Sequence, residues 1–239
     1  MKERGILMSA PMVRALLAGS KTQTRRIIKD QSIGEHFCEM RPEGAYLEWL
    51  GTPSCGTGVW DVPEFSGIAK VPYGVPGDRL WIKEDVKAAK DENGYITHHV
   101  YSVDGARVPR LSALAEWASD GMAFAHHVDA SRVRARNMPR WASRITLEIT
   151  DVRVERLQDI SEADAIAEGI EPMPCAVPDT RLWKNYTPGN GWTPSLAIPR
   201  NSYATLWDSI NGPDSWSGNP WVWCVSFRVL ANQAAKETR

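Results

Sequence analysis

The order of apolar and polar positions predicts many short strands, few helices and long connections. Residues 5–8 read as a short opening strand. Ser9-Ala10-Pro11 then opens a helix: Ser9 is a capping residue, and proline suits the first turn, where its missing N–H is not needed. Met12, Val13, Leu16 and Leu17 make an apolar stripe at helical spacing, and Gly19 is placed to end the helix in a left-handed conformation. Residues 20–26 therefore leave a helix terminus for a loop or strand. Residues 30–63, rich in Gly and Pro, read as an elaborated loop with a hairpin around 45–50, and residues 67–70 as a strand. Val75-Pro76-Gly77-Asp78 is a turn signature before one strand over 79–86, and Asn93-Gly94 leads into another over 95–103. A short helix is expected over 111–117. Residues 143–157 alternate, with Ile145, Leu147, Ile149, Val152 and Val154 apolar and a bulge near Asp151.

Further on, Ser161 faces Asp164 in a capping box, so a helix runs from Glu162 to Glu168 and Gly169 ends it. Residues 172–199 hold six prolines and read as a long loop, a candidate lid. A helix over 200–210 carries Tyr203, Leu206, Trp207 and Ile210 on one side, and a last strand spans 221–230. The sum is an α+β chain: one domain over residues 1–231, insertions at about 30–63, 103–128 and 172–199, and a flexible tail at 232–239.

Composition narrows the class. The 239 residues are 43% hydrophobic with a mean hydropathy of −0.36, which excludes a disordered chain, and no period suggests collagen or a coiled coil. No apolar run approaches the roughly 20 residues of a membrane span, and the N-terminal apolar stretch is too short for a secretory signal, so a soluble, cytoplasmic protein is expected. Cys38, Cys55, Cys175 and Cys224 form no Cys-x-x-Cys, so neither a disulfide framework nor a zinc ribbon is indicated. His98-His99 and His126-His127 point to opposite faces if extended, and no metal or other cofactor is expected.

The net charge of −1 conceals segregation. Residues 2–30 carry seven bases and two acids; residues 131–144 carry Arg132, Arg134, Arg136, Arg140 and Arg144 with no acid. Residues 159–171 carry five acids and no base. Eleven tryptophans stand against four phenylalanines, an excess of flat rings with one polar edge.

The densest polar run is Gly19-Ser20-Lys21-Thr22-Gln23-Thr24-Arg25-Arg26. If extended, Thr22, Thr24 and Arg26 share one face and Lys21, Gln23 and Arg25 the other; a bend near Lys21 joins it to Thr24 and Arg26. Ammonium, hydroxyl and guanidinium together suit phosphate binding or activation of a hydroxyl nucleophile, and equally a solvated basic hairpin. The second role needs a desolvated or paired lysine, since a free amine titrates near ~10.4.

Gly-x-Lys-x-x-Thr-x-Arg after an amphipathic helix (Gly19, Lys21, Thr24, Arg26) resembles the signature of the ASCH domain, a PUA-like family associated with RNA and nucleosides. Pro76 to Glu84, Ile145 to Gly169 and Asn219-Pro220-Trp221-Val222-Trp223 are similar to stretches of its longer, phage- and prophage-type members. The resemblance implies a small PUA-like β-barrel with flanking helices and long loop insertions. It also implies an amidohydrolase that removes the acyl group of N4-acetylcytidine, with Lys21, Thr24 and Glu168 catalytic; Glu84 is the competing carboxylate. Arg26 or backbone N–H groups after the helix would stabilise an oxyanion, and Trp81 would wall a cytosine. The alternative function is an RNA or single-stranded nucleic-acid binder, with or without ribonuclease activity, gripping phosphates through Arg132, Arg134, Arg136 and Arg140. Partners would then be a modified nucleoside or RNA, not a membrane. Trp207, Trp221 and Trp223 are expected in the core, Trp183 and Trp192 in a lid, and Cys224 as a buried thiol.

Overall fold

Strands outnumber helices among the described residues, and the longest of them before the C-terminus, over Ile145–Arg156, alternates buried β-branched and aliphatic side chains with polar ones. The computed structural model describes residues 1–32, 37–41, 44–49, 65–93, 96–108, 132–175, 177–188 and 195–232. The expected helix over 111–117, most of the insertion at 103–128, Trp60, Trp117, Trp192, His126-His127 and most of the tail lie outside these residues. The chain divides into two compact units, residues 1–19, 78–148 and 228–239 in one, residues 20–77 and 149–227 in the other.

In the first unit, strand β1 (Glu3–Leu7) leads to helix α1 (Ala10–Leu17), which buries Val13, Ala15 and Leu16. Pro11 sits in its first turn, Ser9 takes the extended capping conformation without a side-chain cap bond, and Gly19 turns left-handed at φ 73°. The other unit holds β2 (Gln23–Ile27), β3 (Phe37–Arg41), β4 (Gly44–Trp49) and β5 (Phe65–Ala69). The hairpin expected around 45–50 within the elaborated loop is present as the antiparallel pair β3 and β4, turning before residue 44 rather than within 45–50, and β4 is the middle strand of a β3-β4-β5 sheet.

The first unit continues with β6 (Arg79–Lys83), β7 (Val86–Lys90), β8 (Ile96–Tyr101) and β9 (Arg132–Val133). β1 lies parallel to β6, with Gly5 beside Trp81. β6 buries Leu80 and Ile82 and turns Arg79, Trp81 and Lys83 outward. The single strand expected over 79–86 is broken at Glu84-Asp85 because both side chains are drawn off: Glu84 pairs with Arg144, and Asp85 accepts from the Ala135 N–H at 2.7 Å and from Arg132. β7 pairs with β8 and β9 over a core of Val86, Tyr101, Val108, Val133, Met138 and Ala142.

β10 (Ile145–Arg156) runs through both units. Its buried phase passes from Ile145, Leu147 and Ile149 to Val152 and Val154, the shift expected near Asp151. The second unit continues with helix α2 (Glu162–Ala167), the two-residue strands β11 (Pro172–Met173) and β12 (Leu182–Trp183), and helix α3 (Pro199–Asn211). β13 (Trp221–Asn232) begins here and finishes in the first unit. β2 runs antiparallel to β13, with Thr24 facing Val225, Arg25 facing Cys224 and Arg26 facing Trp223.

The core of this unit gathers Leu157, Ile160, Ala165, Ile170, Trp183, Tyr203, Leu206, Trp207, Val222 and Cys224. Trp207 and Trp223 are buried, Trp221 is half-buried beneath Arg156, and Ile210 is exposed, beyond the buried stripe of α3. Trp183, expected in a lid, is a core residue at 7% exposure, because β11 and β12 fold its loop onto α3. The fold is α+β, and among the described residues the sheets have open strand orders, with no closed barrel.

Candidate functional site

The site lies in the second unit, where the run before β2 meets the end of α2. Two main-chain bonds fix that run: Thr22 N–H donates to Ala167 O at 2.9 Å, and Phe227 N–H donates to Thr22 O at 2.9 Å. Ser161 Oγ accepts from Asp164 N–H at 3.0 Å, which sets the start of α2. Gly169, left-handed at φ 85°, ends the helix one residue after Glu168. Starting and stopping the helix at these points puts Asp164 and Glu168, four residues apart, on one face.

Lys21 Nζ donates to Glu168 Oε2 at 2.8 Å and to the Glu168 main-chain oxygen at 2.7 Å. Both side chains are shut from solvent, at 0% and 2% exposure. Burial pushes the ammonium below its ordinary lysine value; Glu168 pulls it back, and Arg26 and Arg25 push it down again. Two of the three ammonium hydrogens are held by Glu168, so loss of the third leaves a lone pair directed away from the carboxylate.

Arg25, on the same strand face as Gln23, is fully buried. Its Nη2 lies 3.0 Å from Glu155 Oε2 and 3.2 Å from Asp164 Oδ2, and its Nη1 donates to Gln23 Oε1 and lies 3.5 Å from Glu168 Oε1. Cys224 Sγ donates to Glu155 Oε2 at 3.2 Å. Burial pushes that thiol up, and likewise the Tyr203 phenol, so both are protonated at neutral pH.

Thr24 is completely buried, and its hydroxyl makes no hydrogen bond among the described residues, Lys21 included. A buried hydroxyl without a partner is rare, because it forfeits water without recompense. Arg26, half-buried on β2, is close enough to depress Lys21 electrostatically.

The remaining expected residues lie in the first unit. Glu84 accepts two bonds from Arg144, at 2.9 and 2.8 Å, while Arg144 also reaches Asp104 at 2.7 Å and stacks on Tyr101 at 3.9 Å. Its carboxyl is committed to this cluster; the carboxylate on Lys21 is that of Glu168. Trp81 is half-buried on the outer side of β6, its ring against Gly5, where a Cβ would come within 2.8 Å of it. Lys83 Nζ stands 5.0 Å and the Arg140 guanidinium 5.9 Å from the ring centroid. Arg132 pairs with Asp85 and Arg140 with Glu3 at 3.1 Å, while Arg134 and Arg136 are exposed on a short helical turn. Among the described residues no three His, Cys, Asp or Glu side chains are grouped to hold a metal ion.

Compared with family models, curated proteins and solved structures, the chain matches none.

The sequence reasoning did not single out Arg25, Glu155 and Asp164. The signal was present: Arg25 shares a strand face with Lys21 and Gln23, and Asp164 lies one helical turn before Glu168.

Proposed function

We propose that the chain is an amide hydrolase acting on an N4-acylated cytidine, built on a PUA-like ASCH scaffold. Lys21 is its general base, Thr24 its nucleophile and Glu168 the carboxylate that orients the lysine. One observation carries the reading: a buried lysine, held by one carboxylate and pushed below its ordinary pKa, stands three residues before a buried, unpartnered threonine hydroxyl.

In the acylation half, the Thr24 hydroxyl adds to the amide carbonyl carbon and its proton passes to the Lys21 lone pair. Arg26 steadies the oxyanion. Collapse breaks the carbon–nitrogen bond, and the Lys21 ammonium returns the proton to the exocyclic amine, which leaves as cytidine. Water, deprotonated by Lys21, then adds to the acyl-threonine carbonyl carbon; collapse breaks the bond to Thr24 Oγ, the Lys21 ammonium returns its proton to that oxygen, and the carboxylic acid leaves. Glu168 stabilises the ammonium between these transfers without changing its own proton count.

The test is a panel of N-acylated nucleosides assayed with wild type and Thr24→Ala. Wild type is expected to release cytidine from N4-acetylcytidine, and Thr24→Ala to lose about 10²-fold or more. A wild-type chain that leaves the whole panel intact refutes the reading.

A second reading, single-stranded RNA binding, is favoured by Lys83 and Arg140 lying within 6 Å of the Trp81 ring, at 5.0 and 5.9 Å, with Arg134 and Arg136 exposed. It requires an affinity that falls steeply with salt and drops in Trp81→Ala; flat salt dependence removes it.

A further inference from the structure

Arg25 occupies a position that the Gly-x-Lys-x-x-Thr-x-Arg pattern leaves free, yet it is fully buried and meets three carboxylates. Its Nη2 hydrogen-bonds Glu155 and Asp164 and its Nη1 hydrogen-bonds Gln23 Oε1, which leaves Nη1 an ion-pair contact of 3.5 Å with Glu168. One end reaches Glu155 and Asp164; the other reaches Glu168 Oε1, the oxygen that Lys21 does not hold. The anchors are themselves braced. Arg153 Nε donates to Glu155 Oε1 at 2.8 Å, Arg153 Nη2 lies 3.5 Å from Asp164 Oδ2, and Cys224 Sγ donates to Glu155.

We propose that Arg25 is the positioning residue of the site: anchored on Glu155, Asp164 and Gln23, it sets a cation 3.5 Å from the Glu168 oxygen that Lys21 does not hold, and so competes with Lys21 for that carboxylate. The inference rests on the hydrolase reading for its catalytic meaning, but its physical content concerns Lys21 alone. The charged and titratable groups around the pair are Arg25 and Arg26 from β2, Asp164 from α2, Glu155 from β10, Cys224 from β13 and Tyr203 from α3. Cys224 and Tyr203 stay protonated, so Arg25 and Arg26 are the cations that oppose Glu168 at Lys21. Removing Arg25 ends that repulsion and frees Glu168 to serve Lys21 alone. Both changes favour the ammonium.

The experiment follows the Lys21 side chain by carbon NMR titration in wild type, Arg25→Gln and Arg25→Lys, with kcat and KM measured alongside. Arg25→Gln is expected to raise the Lys21 midpoint enough to cut the neutral fraction at pH 7 at least threefold. Arg25→Lys keeps a cation on Glu155 and Asp164, but its single head cannot also reach Glu168, so the midpoint rises by less. In both, kcat falls while KM holds. A wild-type midpoint in both variants, or in Arg25→Lys should Arg25→Gln not fold, overturns the proposal. Turnover with an unmoved midpoint sinks this inference and spares the hydrolase reading; a midpoint that moves in a chain without turnover does the reverse.

Discussion

Replacing Lys21 by Met keeps most of its volume and removes only the ammonium, which makes the buried pair measurable. In the native chain Glu168 receives two bonds from Lys21, one on Oε2 at 2.8 Å and one on its main-chain oxygen at 2.7 Å, with both side chains shut from water. Breaking a buried ion pair from one side costs about 3–5 kcal/mol, because the remaining charge stays desolvated. Arg25 remains 3.5 Å from Glu168 Oε1 and compensates in part, so the loss belongs at the lower end, about 3 kcal/mol. For a chain of this length that is a fall in Tm of roughly 6–12 °C. Adding Glu168→Gln removes the stranded charge and should restore about 2 kcal/mol, leaving the main-chain oxygen short of a donor. Urea titrations of wild type, both single variants and the double variant form the cycle, with an expected coupling of about 2 kcal/mol or more. A Lys21→Met chain within about 0.5 kcal/mol of wild type, or a double variant whose losses simply add, would refute the claim that the pair is a desolvated unit.

Five further outcomes are expected. On the proposed hydrolase mechanism, in which Lys21 acts as the neutral amine, turnover should rise with pH through the Lys21 titration, at a lower pH than an ordinary lysine near ~10.4 allows. The same depression makes the unfolded chain hold its proton longer, so between the two midpoints wild-type stability should rise with pH relative to Lys21→Met, as urea melts across that range will read. Thr24→Val removes an unpartnered buried hydroxyl and should leave stability unchanged or raise it by up to about 1 kcal/mol while abolishing turnover; a clear loss of stability would show that the hydroxyl is structural. Lys21→Arg keeps a cation for Glu168 but cannot act as a base, so it should lose activity at every pH while thermal melts show a cost of about 1–3 kcal/mol from crowding. In the first unit, Arg144→Met strands Glu84, and a chemical melt should register a loss of about 3–5 kcal/mol.

Much of the local structure was legible because single residues decide it. Gly19 and Gly169 both turn left-handed where the helices end, Ser161 caps where it should, and the phase of β10 slips near Asp151. What was not legible depends on side chains distant in sequence. The strand break at Glu84-Asp85 is drawn by Arg144, Arg132 and Ala135, dozens of residues on, and no periodicity within 79–90 records it. Trp183 read as a lid because its neighbours are polar and Pro-rich, yet β11 and β12 carry it into the core beside α3. In the site, Lys21, Thr24 and Arg26 stood out as a pattern, whereas Arg25 acquires its role only when Glu155, Asp164 and Glu168 arrive from β10 and the α2 segment.

Lys21 and Arg25 meet the two carboxylates of the α2 segment unequally. The Lys21 ammonium reaches Glu168 alone, at 2.8 Å, whereas the forked Arg25 guanidinium lies 3.2 Å from Asp164 and 3.5 Å from Glu168. Glu168 therefore faces two cations, and it does not offset the cost of burying Lys21: burial depresses the ammonium despite an ion pair at 2.8 Å, and the charges of Arg26 and Arg25 depress it further.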